Sequence, residues 1–365
     1  MAKVLIVIAR LNVGGTAQYV GQAVKSLVES GHEVLVATGF VQGFEVEDSV
    51  TKELPTKRIK GLGRKVSPAK DFSARRELKK LIASYKPDLI YSHTFKAGAL
   101  VRSLKLEAPV IHAFHGHLID EPELKGLKVR VVMAIERALA PRAKVLVTVG
   151  ARVAKELLKA KVGKESQYLP IAPGVLPLEL NDRKIALRNL GLEDETRPVI
   201  AWLARVVAVK GPHRLVELAS RIPEARFIMA GGGDLLEEIR DLAPENLTVL
   251  GWQDARDVWA VADLAVSTSD NEGMPVALIE AQLAGIPIVA LDVGSVAEVI
   301  EDGKTGFIFD EFGDAYFDAV RKLALDATLR REMGQSAWGI ARERFALVRF
   351  TEDHIRLFDS VQSVY

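Results

Sequence analysis

Apolar positions along this chain follow two rhythms. Short, nearly unbroken apolar runs at 3–8, 33–37, 88–92, 109–114 and 144–149 read as buried strands. Between them apolar residues recur every three or four positions, as on one face of a helix. Such stretches are 17–30, closed by Gly31; 96–104; and 128–140, halted by Pro141. The alternation resumes at Pro198. Its strands are predicted up to Ala204-Arg205 and at 225–230, 247–251, 263–267 and 305–309. Its helices open at Lys210-Gly211-Pro212 and at Pro275, where Val276, Ile279 and Leu283 share a face before Gly285. Pro275 is placed as the first helical residue, where a missing N–H costs nothing. Beyond 309 the chain reads as helical. Strands alternating with helices predict an α/β fold built on parallel sheets.

One stretch breaks the rhythm. Residues 168–192 hold Pro170, Pro173, Gly174 and Pro177 and read as a linker. The expected division is a domain over 1–170, a second over 171–345, and a last segment, 346–365, that returns to the first. A length of 365 residues accommodates two domains. Charge divides at the same place. Residues 1–170 carry 29 Lys/Arg against 16 Asp/Glu, and the remainder carries 20 against 32. Opposite signs suggest different partners for the two halves. The absence of cysteine excludes a disulfide framework and thiolate metal sites. The first apolar run leads to a Gly-Gly turn rather than to a cleavage site, and no run reaches the length of a membrane span. The expected setting is cytoplasmic.

Candidate chemistry concentrates at 267–298, STSDNEGMPVALIEAQLAGIPIVALDVGSVAE. Glu272 falls in the loop at a helix N-terminus and Glu280 inside that helix. Backbone N–H groups at the N-terminus suit an anion, and the two carboxylates suit hydroxyls. A ligand bearing both phosphates and hydroxyls fits this pattern. Gly14-Gly15, at the first strand-to-helix turn, lets a ligand approach the backbone closely. A nicotinamide-binding turn would need G-x-G-x-x-G and an acidic residue at the end of the next strand; the loop reads N-V-G-G-T-A and that strand ends in Thr38-Gly39. His115 and His117 follow the strand at 109–114 directly. Strand alternation puts His112 on the opposite face from His115, which argues against a zinc set from the three. Asp292–Ser295, with Gly294, reads as a second small-residue turn and a possible anion site.

EGMPVALIEAQLAG resembles the E-G-x-P/G-x-x-x-x-E-A-x-x-x-G signature of the retaining glycosyltransferases of family 4, with their E-x7-E motif. Their architecture, GT-B, has two Rossmann-like parallel-sheet domains facing a cleft, with a C-terminal helix crossing back to the first. Other segments are similar to family elements. L-N-V-G-G-T-A-Q matches the N-terminal loop, I-A-P-G-V the hinge, and G-G-G-D at 231–234 the G-x-G element. A-R-V-V-A-V-K-G matches G-R-L-x-x-x-K-G, with Ala204 in place of the usual glycine. The resemblance implies transfer of a sugar from a nucleotide-sugar, most often a UDP-sugar, to a hydroxyl, with retention. It implies that Gly14 and Gly15 face the donor diphosphate and that Arg205 and Lys210 clamp it. Trp252 and Gln253 would meet the nucleobase. Glu272, with Gly273, Met274, Pro275 and Val276, would hold the donor sugar and phosphate, and Glu280 the ribose. His115 would contact the sugar or lie beside the reacting centre, with His117 as its neighbour. No cofactor or metal is expected, because no two aspartates are separated by a single residue. Rival readings are a sugar-nucleotide epimerase or phosphorylase on the same fold, and a non-catalytic nucleotide-sugar-binding protein. Intact Arg205, Lys210, Glu272 and Glu280 argue against the last.

Residues 57–80 hold Lys57, Arg58, Lys60, Arg64, Lys65, Lys70, Arg75, Arg76, Lys79 and Lys80 against Asp71 and Glu77 alone. Lys125, Lys128 and Arg130 stand among Leu124, Leu127, Val129 and Val131. Basic residues near an anionic leaflet contribute about 1 kcal/mol each. The expected partner is an anionic membrane surface carrying a glycan or polyprenyl-diphosphate-linked acceptor. Nucleic acid is not expected, since Phe72 is the sole aromatic residue in 57–80.

Overall fold

The structure is a computed structural model that describes residues 1–43, 45–63, 66–116, 126–193 and 195–362. The chain forms two compact units. One is Met1–Gly174 with the segment from Leu347 onward, and the other is Val175–Ala346.

The first unit opens on β1 (Lys3–Ile8), where every side chain after Lys3 is buried. α1 (Gly15–Glu29) buries Tyr19, Val20, Ala23, Val24 and Leu27, a spacing that makes one apolar stripe. Then come β2 (Glu33–Thr38), β3 (Thr56–Arg58), α2 (Pro68–Tyr85), β4 (Leu89–His93), α3 (Phe95–Arg102) and β5 (Val110–Phe114). The series ends with α4 (Leu127–Leu139), β6 (Val145–Thr148), α5 (Ala151–Lys159) and β7 (Tyr168–Pro170). The strands pair in parallel in the order β3-β2-β1-β4-β5-β6-β7. Leu5, Val7 and Ile90 of the sheet pack against Ala74 and Leu78 of α2 and Ala97 and Val101 of α3. Those two residues are the only ones α2 buries along eighteen positions, so its apolar stripe is nearly invisible in the sequence.

The second unit runs through α6 (Arg183–Asn189), β8 (Val199–Leu203), α7 (Pro212–Arg221), β9 (Arg226–Ala230), α8 (Leu236–Leu242), β10 (Leu247–Gly251) and α9 (Ala255–Val261). It continues through β11 (Leu264–Ser267), α10 (Val276–Leu283), β12 (Ile288–Leu291), α11 (Val296–Val299), β13 (Gly306–Phe309), α12 (Asp314–Leu325) and α13 (Ala327–Arg344). Its parallel order is β10-β9-β8-β11-β12-β13. Trp202, Phe227 and Met229 of the sheet meet Tyr316 and Val320 of α12 in its core. The two Rossmann-like parallel sheets are those expected.

The stretch 168–192 is not all linker. Its first three residues form β7, hydrogen-bonded to β6. Near its end Asp182 caps α6, its carboxylate accepting from the N–H groups of Lys184 at 2.9 Å and Ile185 at 3.3 Å. α6 is tied down through polar groups. Asn181 and Asn189 each donate to the buried Asp257 carboxylate, at 2.6 and 3.0 Å. A reading by apolar period misses such a helix. The last element, α14 (Leu347–Gln362), belongs to the first unit and packs on α1. It buries Phe350, His354, Leu357, Phe358 and Val361, and Arg349 donates to the Ala172 and Pro173 carbonyls at 2.9 Å each.

α3 and α4 are joined by a buried ion pair. The Arg102 guanidinium donates to both Glu136 oxygens, at 3.0 and 2.9 Å. Burial pushes the Glu136 carboxyl up and the Arg102 guanidinium down from their ordinary values, and each is opposed by the other. Glu136→Ala is therefore expected to cost about 3–5 kcal/mol, because it leaves a buried charge unpaired. The double change Arg102→Met/Glu136→Leu should recover most of that loss. Urea unfolding midpoints of the variants check both.

Candidate functional site

In the second unit the strand order reverses between β8 and β11, and ligands in open α/β sheets bind outside the carboxyl ends of strands at such a point. The loop after β8 carries Ala204, Arg205 and a short turn, Ala208–Lys210. The loop after β11 runs from Thr268 to Pro275. The two are sewn together. The Thr268 hydroxyl accepts from Trp202 Nε1 at 3.0 Å and lies 3.0 and 2.9 Å from the carbonyls of Lys210 and Gly211. Asp270 N–H donates to the Val209 carbonyl at 2.8 Å. Arg214 donates to the Thr268 carbonyl at 2.8 Å and pairs with Asp270 at 2.6 Å. Gly211 is left-handed, and a Cβ there would lie 2.3 Å from the Thr268 carbonyl, so no other residue fits.

This stitching sets Lys210 Nζ 2.5 Å from Glu272 Oε1, which also accepts from Ser269 Oγ at 2.7 Å. Both charged side chains are largely buried. The sequence pairs Lys210 with Arg205 and Glu272 with its own helix; the fold joins Lys210 to Glu272. Arg205, half-buried, opens the same loop. The peptide of Glu272-Gly273 is fixed from behind. Ser295 N–H donates to the Gly273 carbonyl at 3.0 Å, and a Cβ on Gly294 would fall 1.6 Å from the Glu272 carbonyl. Gly294 thus serves this close approach. Asp292–Ser295, expected as a small-residue anion turn, opens α11, a helix of four residues.

Met274 and Pro275 are buried. Pro275 is not the first helical residue: its backbone is extended, with ψ 101°, and it caps α10, which starts at Val276. Its carbonyl accepts from Leu278 and Ile279, so the Val276 and Ala277 N–H groups precede the first helical hydrogen bond. Glu280 lies one turn further and is not part of the Lys210 cluster. It accepts from Trp259 Nε1 at 3.3 Å, and burial pushes its carboxyl up to about 7. Gly231–Gly233 lie against the β8 loop, Val206 N–H donating to the Gly232 carbonyl at 3.0 Å. Trp252, half-exposed, rests on Gly232, and Gln253 donates to the Leu250 carbonyl at 3.2 Å.

In the first unit the order reverses between β1 and β4. Gly14, with φ 140°, caps α1, and Gly15 is its first residue. β4 ends in His93, whose Nδ1 is 2.9 Å from Nε2 of His115, just past β5. Tyr19 packs edge-on against His115 at 4.9 Å and against His354 of α14 at 5.6 Å. Burial lowers His115 to about 4, so its imidazole is neutral at neutral pH. His93 is also held well below its ordinary value, by burial first and then by His115 and His354. His112 points elsewhere, to Ser92 Oγ at 3.0 Å, and stays in the core. His117 lies outside the described residues. Among the described residues no three His, Cys, Asp or Glu side chains are grouped to hold a metal ion.

The second-unit site therefore offers cations, N–H donors and two carboxylates of different character. One, Glu272, is ion-paired; the other, Glu280, is poised to titrate. Sequence reasoning missed Ser269, Thr268, Trp259 and His93. Ser269 could have been found three residues before Glu272 in the same loop. Nothing in the sequence links Trp259 to Glu280, or His93 to His115.

A family model described as Glycosyl transferases group 1 matches residues 184–338, and one described as Glycosyl transferase 4-like domain matches residues 14–174. The chain is 25% identical over 290 residues to UDP-Gal:alpha-D-GlcNAc-diphosphoundecaprenol alpha-1,3-galactosyltransferase of Escherichia coli, a match covering 73% of this chain and 74% of that protein. It is 28% identical over 276 residues to the sulfoquinovosyl transferase SQD2 of Arabidopsis thaliana, covering 70% of this chain and 53% of the plant protein. Its fold is similar to that of Anabaena Alr3699/HepE, solved in complex with UDP-glucose. The TM-score is 0.81, with 19% identity and coverage of 99% of this chain and 100% of that one.

The buried Glu280 carboxyl is expected to titrate with a midpoint of about 7. Trp259→Phe should raise the midpoint further, since the indole N–H favours the carboxylate. Carbon-13 NMR of labelled glutamate reads both, and a midpoint near that of a solvated glutamate would show that water reaches the group.

Proposed function

The chain belongs to the family 4 glycosyltransferases, and from that premise we propose that it moves a sugar from a UDP-sugar to a hydroxyl of a glycan or lipid-linked acceptor, with retention at the anomeric carbon. The observation that carries the reading is the joining of Lys210, Glu272 and Ser269 at the switch point of the second sheet, in the loops that also hold Arg205 and the start of α10. The relatives' names support a nucleotide-sugar donor and a lipid-linked acceptor.

In this reading Arg205 and Lys210 meet the diphosphate, helped by the first N–H groups of α10. Glu272 holds the donor sugar while keeping Lys210 in place. Glu280 accepts from the ribose hydroxyls, beside a base near Trp252 and Gln253. Gly14 and Gly15 admit the diphosphate or the acceptor to the backbone, and the neutral His115 offers a hydrogen bond rather than a charge. The bond from the anomeric carbon to the β-phosphate oxygen breaks, and its electron pair leaves with the phosphate. The acceptor oxygen bonds to the same face, and its proton passes to the departing phosphate. No enzyme nucleophile and no metal is required, because fixed cations stabilise the leaving charge.

The reading extends to the setting. α4 exposes Lys128 and Arg130 beside Val131 and Ile135, and α2 exposes Phe72 beside Arg76, Lys79 and Lys80. Among the described residues no helix is long and apolar enough to cross a membrane. These two faces would hold the enzyme on an anionic surface reversibly. Arg75 leaves the set that the sequence suggests. It donates to Ser103 Oγ at 3.0 Å and to the Ser103 carbonyl at 3.2 Å, fastening α2 to the end of α3. Arg64, Lys65 and Lys125 lie outside the described residues.

Lys210→Ala, Arg205→Ala and Glu280→Ala should each lower sugar transfer, by roughly 10²–10³-fold for the two cations, with circular dichroism unchanged. Excess EDTA in the same assay should leave wild-type turnover intact. Normal rates in all three variants would remove these residues from the site, and an EDTA loss rescued by magnesium would replace the cation argument.

Co-sedimentation with vesicles reads the setting. Binding should require anionic lipid, fall as salt rises, and weaken when Arg76, Lys79 and Lys80 are changed to Glu. Protein left in the supernatant at low salt would end the membrane reading and leave the transferase reading standing.

A further inference from the structure

A cavity of about 450 Å³ opens in the first unit beside the start of α2. That volume suits a small-molecule site and is roomier than a bare ion needs. Its walls come from the segments after β2 and β3, the first turns of α2, and α3. Three ammonium groups line it: Lys60, Lys70 and Lys96. Lys96 is more than nine-tenths buried, donates to the Gly61 carbonyl at 3.0 Å, and pairs with Asp71 at 2.6 Å. The other Asp71 oxygen accepts from Ser67 N–H at 2.9 Å. The Asp71 carboxylate is thereby committed, and no carboxylate is among the described residues that line the cavity. Among the described residues Lys60 and Lys70 have no carboxylate within ion-pair distance; Glu77 reaches Lys60 only at its backbone N–H, at 3.0 Å.

The arrangement is built, not incidental to a mobile surface. Gly61 has φ 92°, and a Cβ there would lie 2.4 Å from the Lys70 carbonyl. The turn carrying Lys60 is thus pressed against the first turn of α2 carrying Lys70. Pro68 starts that helix, whose positive dipole end adds to the ammonium field. The lining also holds two apolar side chains, half-exposed Phe40 and exposed Val66; the Arg58 guanidinium lies 5.1 Å from the Phe40 ring centroid.

We propose that this cavity binds the phosphate or diphosphate group of the acceptor, with Lys60 and Lys70 as its direct ligands and Lys96 holding the wall. The assignment rests on the transferase reading above, which by itself names no place for the acceptor's phosphate. The ammonium groups meet the anion, and Phe40 and Val66 cover the sugar or lipid portion next to it. The same chemistry is presented by a soluble phosphorylated sugar and by the head of a polyprenyl diphosphate.

Isothermal titration with inorganic pyrophosphate, in saturating UDP so that the donor site is filled, tests the assignment. Wild-type protein should bind pyrophosphate, and Lys60→Gln/Lys70→Gln should bind it about tenfold more weakly or worse. UDP affinity should be unchanged in that variant. Lys79→Gln/Lys80→Gln, on the same helix outside the cavity, should bind pyrophosphate as the wild type does. Absence of pyrophosphate binding, normal binding by the cavity variant, or equal weakening by the control variant would overturn the proposal. Failure of UDP itself to bind would instead strike the transferase reading, and the pyrophosphate titration could still be read. Farnesyl diphosphate binding more tightly than pyrophosphate would assign a lipid acceptor, and equal binding a soluble one; either supports the cavity.

Discussion

Two backbone segments lie closer together than any side chain would allow at the carboxyl ends of β8 and β11. Gly211 touches the Thr268 carbonyl from one side, and Gly294 touches the Glu272 carbonyl from the other. The loop 268–275 is clamped between them. The rest of the second-unit site is arranged around that clamp: the Lys210–Glu272 pair, the first N–H groups of α10 and the placement of Arg205. A largely buried ion pair contributes little to stability unless its geometry is fixed and its remaining lone pairs are met. Here Ser269 meets one, and the threonine–tryptophan bond behind it holds the lysine loop still.

The same site contains two glutamates in different settings. Glu272 is ion-paired with Lys210 and accepts from Ser269. Among the described residues Glu280 accepts from the Trp259 indole N–H alone, and burial carries its carboxyl to about 7. His115 follows a parallel logic in the other unit. Burial beside His93 and Tyr19 strips it of charge near neutrality. A buried imidazole held neutral can make a hydrogen bond without bringing a charge.

The basic surface of the first unit is not one feature. Arg75 fastens a helix end, Lys96 braces a cavity wall, Lys60 and Lys70 line that cavity, and Arg76, Lys79 and Lys80 face solvent. These seven basic residues thus divide into structural, cavity-lining and surface positions. The excess of positive charge belongs to the half that the family reading assigns to the acceptor.

The α/β class, the parallel sheets and most strand positions were legible in the chain, because buried parallel strands are short apolar runs and their helices carry one apolar stripe. The loop–helix bearing Glu272 and Glu280 was legible too, since Gly-x-Pro punctuation is local. What was not legible depended on contacts across the fold. α2 and α6 are held by few apolar residues, the latter by asparagines on Asp257. Pro275 turned out to cap its helix, because the clamp keeps its backbone extended. Gly294 serves a close approach to a carbonyl 22 residues earlier. The pairing of Lys210 with Glu272, of Trp259 with Glu280 and of His93 with His115 joins residues separated by 62, 21 and 22 positions. Periodicity reports which face of an element is buried. Which side chain it then meets is decided by strand order and by the few places where a missing Cβ lets two backbones touch.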